Sequence, residues 1–259
     1  MGKAAVDLFA KNGYRVFALD REMCPAKENV IPLKANVTDE QSLLTALDTV
    51  RETGSDLFGI LHLAGIYLLD SLVEIEPAAF ERIFRINLGG AFLVNRTFRP
   101  LLQKGSKIVM VTSELAVRDP LPFTGIYAIT KAALDRYAYS LRMELQLTGI
   151  CVSVLRAGAV DTGMISQSTD QLNAFCEKTR QYVYNAKRFK SIVEHVEARR
   201  IPPDRIAKKV YSIVNKANPR FNYSINRNPM LILFDLLPKG IRFGIIKRIL
   251  RSPSGTGLV

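Results

Sequence analysis

The chain has 259 residues, 48% of them hydrophobic and 23% charged, with 36 Lys and Arg against 24 Asp and Glu for a net charge of +12. That is the composition of one α/β domain long enough to bury a sizeable core. Three cysteines without paired spacing and only two histidines, His62 and His195, exclude a disulfide framework and a zinc cluster and leave a His-based triad few candidates.

No signal peptide precedes the first amphipathic helix, and no run reaches the roughly 20 apolar residues of a membrane-spanning helix. A cytoplasmic protein is expected, with no metal. Much of the basic surplus follows residue 177, in Lys187-Arg188-Phe189-Lys190, Arg199-Arg200 and Lys208-Lys209. It lacks the interleaved aromatics of a nucleic-acid platform, so it reads as a solvated face or one that meets an anionic membrane, and nucleic acid is not expected as a partner.

Ala4, Ala5, Val6, Leu8, Phe9 and Ala10 make one face of an opening helix that Asn12-Gly13 stops. Tyr14 to Leu19 is a buried strand ending at Asp20, and Val30 to Ala35 a second, running into Asn36-Val37-Thr38-Asp39. Thr38 or Asp39 caps a helix to about Thr53. Leu57 to Leu63 is an apolar strand ending in Ala64-Gly65, and a long helix runs from Pro77 to Leu102 through Asn87. Ile108 to Val111 forms a strand ending in Thr112 and Ser113. After a loop broken by Pro120, Pro122 and Gly125, a helix carries Tyr127 and Lys131 to about Gly149. Ile150 to Leu155 is another apolar strand, followed by Ala157-Gly158-Ala159-Val160-Asp161-Thr162. Pro203 opens a helix to about Ala217, and Phe221 to Ile225 is a last strand. Short apolar strands alternating with helices predict a Rossmann-like, doubly wound parallel sheet in three αβα layers.

A spacing of four sets Tyr127 and Lys131 on one helix face. A cation beside a phenol favours the phenolate, which makes the tyrosine a usable acid or base.

With Gly2, Asp20, Asn36 to Asp39, Ala64-Gly65, Asn87, Ser113, Tyr127-x-x-x-Lys131 and Gly158 to Thr162 in order, the chain resembles the short-chain dehydrogenase/reductase family from Gly2 to about Asn226. The resemblance implies an NAD(P)-dependent interconversion of an alcohol and a ketone or aldehyde. Tyr127 would then exchange the alcohol proton, and Lys131 would lower its pKa and hold the nicotinamide ribose. Ser113 would bond the substrate oxygen, and Asn87 would hold a relay water. Gly2, Asn36, Val37, Ala64, Gly65, Gly158, Val160 and Thr162 would contact the cofactor with Tyr127 and Lys131. Asp20 in the position that binds the adenosine ribose argues for NAD, whereas Arg21 could receive the 2′-phosphate of NADP.

Four departures stand out. His62 occupies a place where the family has asparagine, and is expected to be a packed structural residue. Ala157 stands where proline is common, and the segment from Ser113 to Tyr127 is one residue longer than is usual in the family. Glu114 competes for the serine position, although an ionised carboxylate cannot donate to an alkoxide. The family's first strand and two of its three phosphate-cradling glycines have no counterpart before Gly2. That strand is central in the family's 3-2-1-4-5-6-7 sheet, and its absence leaves neighbours with unpaired backbone groups, each costing about 1–3 kcal/mol if buried. Two explanations stand: Met1 is an internal methionine of a longer protein, or the chain is a non-catalytic homologue that binds a ligand, a protein or a membrane.

The expected organisation is one domain over 1–259, with a cofactor and catalytic core at 1–162, substrate-binding helices at 163–200, a last helix and strand at 201–227 and a basic extension at 228–259. Met164, Ile165, Leu172, Phe175, Tyr182, Tyr184 and Phe189 suggest a lipophilic alcohol or ketone of steroid, retinoid or fatty acyl type as the small-molecule partner. In the extension, Ile241, Ile245, Ile246, Ile249 and Leu250 share a helical face opposite Lys247, Arg248 and Arg251. It is similar to the tails of hydroxysteroid- and retinol-dehydrogenase-like members, and either touches an intracellular membrane peripherally through 229–251 or packs over the cleft or a partner. Ser252 to Val259 read as disordered. Family habit implies a homodimer or homotetramer.

Overall fold

The computed structural model describes residues 1–195 and 200–251, without the side chains of 163–168, 194 and 195. Met164, Ile165 and the 252–259 tail therefore lie outside the described set. In chain order the elements are α1 (Gly2–Lys11), β1 (Val16–Asp20), β2 (Val30–Lys34), α2 (Glu40–Glu52) and β3 (Leu57–His62). They continue with α3 (Pro77–Phe84), α4 (Gly90–Phe98), β4 (Leu102–Ser113), α5 (Gly125–Leu145) and β5 (Cys151–Ala157). The chain closes with α6 (Gly163–Lys178), α7 (Val183–His195), α8 (Pro203–Val214), β6 (Asn222–Ile225), α9 (Pro229–Asp235) and α10 (Lys239–Leu250).

All pairings between named strands are parallel, and helices cover both faces. Alternation along the strands assigns the layers. Val109 and Val111 of β4, with Leu155 and Ala157 of β5, meet Phe9 of α1 and Ile206, Val210 and Ile213 of α8. Ile108 and Met110, with Val152 and Val154, meet Ala91 of α4 and Leu134 and Ala138 of α5. Hydrogen bonding divides the described sheet into β1-β2 and β3-β4-β5-β6. The two parts share side-chain packing: Phe17 and Leu19 of β1 join Leu57 and Ile60 of β3 around Leu43, Leu47 and Val50 of α2. β1 and β3 are nevertheless only partly buried, unlike the inner residues of β4 and β5.

Two boundaries differ from the sequence expectation. The helix expected from Pro77 to Leu102 is broken by a π-helical turn, Arg85–Gly89, and Leu102 already belongs to β4. A π-turn aims one side chain differently from a continuous helix, and the residue at its centre is Asn87. The extension does not form one amphipathic face. Ile246 and Leu250 turn inward against a cluster containing Leu172, Phe175 and Phe189, while Ile241, Phe243 and Ile249 are exposed. Arg242, which falls among the apolar residues of α10, is mostly buried and paired with Asp119 and Asp235.

His62 is packed as expected. Burial pushes its ring down to about 4, opposed by a bond at 2.8 Å from Nε2 to Asn95 Oδ1, so the ring is neutral and donates. Asn95 Nδ2 in turn donates to the Tyr137 hydroxyl at 3.1 Å. A base whose folded pKa lies below its unfolded value contributes stability that is whole above the unfolded pKa, near 6.5, and is lost as pH falls toward 4. Urea midpoints should therefore fall from pH 6.5 downward. His62→Gln, which can still donate to Asn95, should flatten that fall.

Candidate active site

The carboxyl ends of the parallel strands lie along one edge, and α5 starts there. Tyr127 and Lys131, one turn apart on α5, are 9% and 5% exposed. The Lys131 ammonium lies 5.7 Å from the centroid of the Tyr127 ring, and among the described residues it makes no hydrogen bond. Ser113 ends β4 and its hydroxyl accepts from Leu115 N at 3.2 Å, capping a short 3-10 turn. The Tyr67 ring packs on Tyr127 with centroids 4.8 Å apart.

Asn87 is held at both ends. Its Oδ1 accepts from Ile66 N at 2.8 Å, and its Nδ2 donates to Ile66 O at 3.0 Å and to the Thr130 hydroxyl at 3.1 Å. Thr130 donates onward to the Tyr127 carbonyl at 2.8 Å. This network locks the segment after β3 to α5, between Tyr127 and Lys131. A Cβ on Gly65 would come 3.1 Å from Asn87 Oδ1 and 3.3 Å from Lys131 Nζ, so a glycine is what lets the chain pass over the ammonium.

Burial raises the Tyr127 phenol above its ordinary range and neighbouring Tyr67 adds to this, while hydrogen bonding with Ser113 opposes it. Burial pushes Lys131 down to about 8.

The other expected contact residues divide into groups. Asp20 and Arg21 are exposed at the end of β1, with Asp20 Oδ1 accepting from Glu22 N at 3.2 Å. Asn36 Oδ1 is taken by the Thr38 amide and hydroxyl, which leaves its Nδ2 for any ligand. Val37 packs against Gly90, where a Cβ would approach it to 2.7 Å. Ala64 is exposed beside Gly65, and Gly2 opens α1 with nothing near it that demands a glycine. At Gly158 a Cβ would lie 1.8 Å from the Asn226 carbonyl oxygen, so the protein's own backbone already demands a glycine there. The Val160 side chain is buried beside Ile201 in the α8 core, which leaves its backbone for any ligand contact. Thr162 stands at the N-cap position of α6 without a side-chain cap bond, and its hydroxyl donates to Val160 O at 3.5 Å. Glu114 faces away from any alkoxide, accepting from Asn228 N at 2.9 Å and pairing with buried Arg118.

Among the residues expected to line a substrate site, Leu172, Phe175 and Phe189 are buried core, while Tyr182 lines an apolar cavity of about 430 Å³ with Leu72, Val73 and Phe123. Sequence reading missed Tyr67 and Thr130. Thr130 had a signal, since it follows Tyr127 by three and so shares its helix face.

The short chain dehydrogenase family model matches residues 1–173. The chain is similar to 3-amino-tetrahydro-pyrrolizinone reductase of Xenorhabdus hominickii, 32% identical over 168 residues covering 62% of this chain and 58% of that protein. It is similar to estradiol 17-beta-dehydrogenase 2 of Mus musculus, 30% identical over 60% of this chain and 44% of that protein. A solved short chain dehydrogenase from Burkholderia cenocepacia in complex with NADP shares the fold, with a TM-score of 0.70 and 20% identity over 96% of this chain and 93% of that one. The matches span between 57% and 65% of the length of four such curated relatives. With the family model matching well over half of its length, the chain belongs to the short-chain dehydrogenase family.

Proposed function

We propose that the chain is an NAD(P)-dependent oxidoreductase interconverting a primary or secondary alcohol and an aldehyde or ketone on a lipophilic substrate of steroid, retinoid or fatty acyl type. The observation that carries this is the meeting of Tyr127, Lys131, Asn87 and Ser113 at one strand-end edge, with Lys131 Nζ held against Gly65 and free of protein hydrogen bonds among the described residues. Free donors beside a glycine suit a ribose, and the exposed Asp20 carboxylate suits the hydroxyls of a second ribose, which favours NAD; exposed Arg21 keeps NADP open. When bound, the nicotinamide supplies or takes the hydride.

The protein's own work is positioning and proton handling. Lys131 donates to the ribose. Tyr127 gives a proton to the carbonyl oxygen during reduction. Ser113 offers that oxygen a hydroxyl donor, and Asn87 fixes the chain beside Lys131 so that the two sides of the site stay in register.

The first test is hydride transfer. Reduced nicotinamide dinucleotide carrying deuterium at its transferable position is incubated with the chain and a panel of long-chain and cyclic ketones. The label is expected on the carbinol carbon, and its absence with every ketone removes the reading. Because Lys131 loses its proton as pH rises through about 8, nucleotide affinity is expected to weaken above that pH.

The division of the sheet between β1 and β3 favours a second reading, a homologue that binds a ligand, protein or membrane without the nucleotide. Nucleotide titration separates the two. We also assign peripheral membrane contact to 229–251, where Leu233, Leu236 and Phe243 are exposed beside basic residues. A dimer or tetramer is supported by exposed Phe92, Ile129, Tyr139 and Met143 on α4 and α5. Among the described residues no helix is long and apolar enough to cross a membrane.

A further inference from the structure

The cavity beside α5 has a composition that its apolar walls do not explain. Its sides come from the segment after β3 (Leu72, Val73), the turn before α5 (Phe123) and Ile246 and Leu250 of α10. It adjoins the candidate active site at two places. Leu72 packs against Gly125, two residues before Tyr127, and Phe123 shares an apolar cluster with Tyr67, whose ring lies on Tyr127. A volume of about 430 Å³ falls within the range of small-molecule sites.

The rim is cationic. Lys247 and Arg251 both line the cavity, four residues apart at the end of α10. Three other cations around this extension have acidic partners, Arg118 and Arg242 with Asp235 and Lys239 with Asp119, while Arg248, which lies off the cavity, has no ion pair among the described residues. Lys247 and Arg251 make no ion pair among the described residues. Two acids on the segment that lines the cavity are already engaged. Asp70 accepts from Lys178 at 2.9 Å and from Ser71 N at 2.8 Å. Glu74 accepts from the Thr179 hydroxyl at 2.6 Å and from Arg180 N and Gln181 N. The Leu250 carbonyl, which could repel an anion at this helix end, accepts from Asn185 Nδ2 at 2.7 Å.

We propose that the cavity binds an amphipathic anion, with its apolar body against Leu72, Val73, Phe123 and Ile246 and its carboxylate or phosphate monoester at Lys247 and Arg251. As a substrate site this rests on the redox reading above, and it narrows the lipophilic substrate to one that ends in an oxyanion. Charge-assisted bonds at a partly solvated rim give preference without deep burial of charge, and they weaken with added salt.

The test is equilibrium binding of the fluorescent fatty acid cis-parinaric acid, and of its methyl ester, to the full chain. The acid is expected to bind about tenfold more tightly than the ester at low salt, a margin of the order given by two exposed charge-assisted contacts. The double variant Lys247→Ala/Arg251→Ala should lose that margin with ester affinity unchanged, whereas Arg248→Ala, on the same helix but off the cavity, should retain it. Displacement by dodecanoate or by dodecyl phosphate then distinguishes a carboxylate from a phosphate ligand. Equal binding of acid and ester, or a margin that survives the double variant, overturns the proposal. A charge-dependent margin with no ketone reduced leaves the binding site standing and removes the redox reading; ketone reduction with no preference for acids does the reverse.

Discussion

Tyr127→Phe should lower kcat/KM for carbonyl reduction by about 10³-fold while nucleotide affinity stays within about twofold of the parent. The substitution removes only the hydroxyl. The ring keeps its place against Tyr67 and beside the buried Ile83 and Ile126, so the fold should lose no more than about 1 kcal/mol. The neighbouring buried hydroxyl on α5, Thr130, already donates to the Tyr127 carbonyl, which leaves the Tyr127 hydroxyl as the group the account assigns to the carbonyl oxygen. Steady-state kinetics with one reducible ketone, beside a nucleotide titration of the same preparation, checks both halves. A variant with parental kcat/KM would show that another group supplies the proton.

Gly158→Ala should be the most damaging added methyl among the described glycines. Its Cβ would stand 1.8 Å from the Asn226 carbonyl oxygen and 2.9 Å from the carbonyl carbon, with Glu114 Oε1 at 3.1 Å on another side. The first two obstacles are backbone at the end of β6, where Gly158 N also donates to Ile225 O at 3.0 Å. No side chain can swing aside, so the end of β5 must part from β6. A loss of about 3 kcal/mol is expected, read as a lower urea midpoint with unchanged slope. Glu114 and the turn that follows Ser113 move with it, so turnover should fall in the variant even where it remains folded.

Gly158 also shows how far residue patterns carry. As part of an Ala-Gly stretch after a strand it reads as a cofactor contact, and nothing local announces that Asn226 also returns to the same spot from 68 residues further along. The same limit applies to the extension. Apolar spacing in Lys239–Leu250 suggests one continuous greasy face, but α7 takes Ile246 and Leu250 and leaves Ile241 and Phe243 outside. Which side is covered depends on a partner that the local pattern cannot name.

What was legible is local. Strands announced themselves as short apolar runs, and the Tyr127–Lys131 face follows from helical spacing alone. The π-turn at Asn87 was not legible, since its residues have ordinary helical character and the bulge is stabilised by bonds to Ile66 and Thr130 from other elements. Nor was the burial of the pair, which raises the phenol and lowers the ammonium.

The account turns on whether this chain holds a nicotinamide nucleotide beside Tyr127. The chain has no tryptophan, so the fluorescence of reduced nicotinamide can be followed without interference from that residue. Titrating NADH and NADPH against the full chain and against Lys131→Ala is the most direct measurement. The account predicts saturable enhancement, tighter for NADH, that weakens at least about tenfold in the variant. Absence of binding by either nucleotide, or equal binding by the variant, would contradict it.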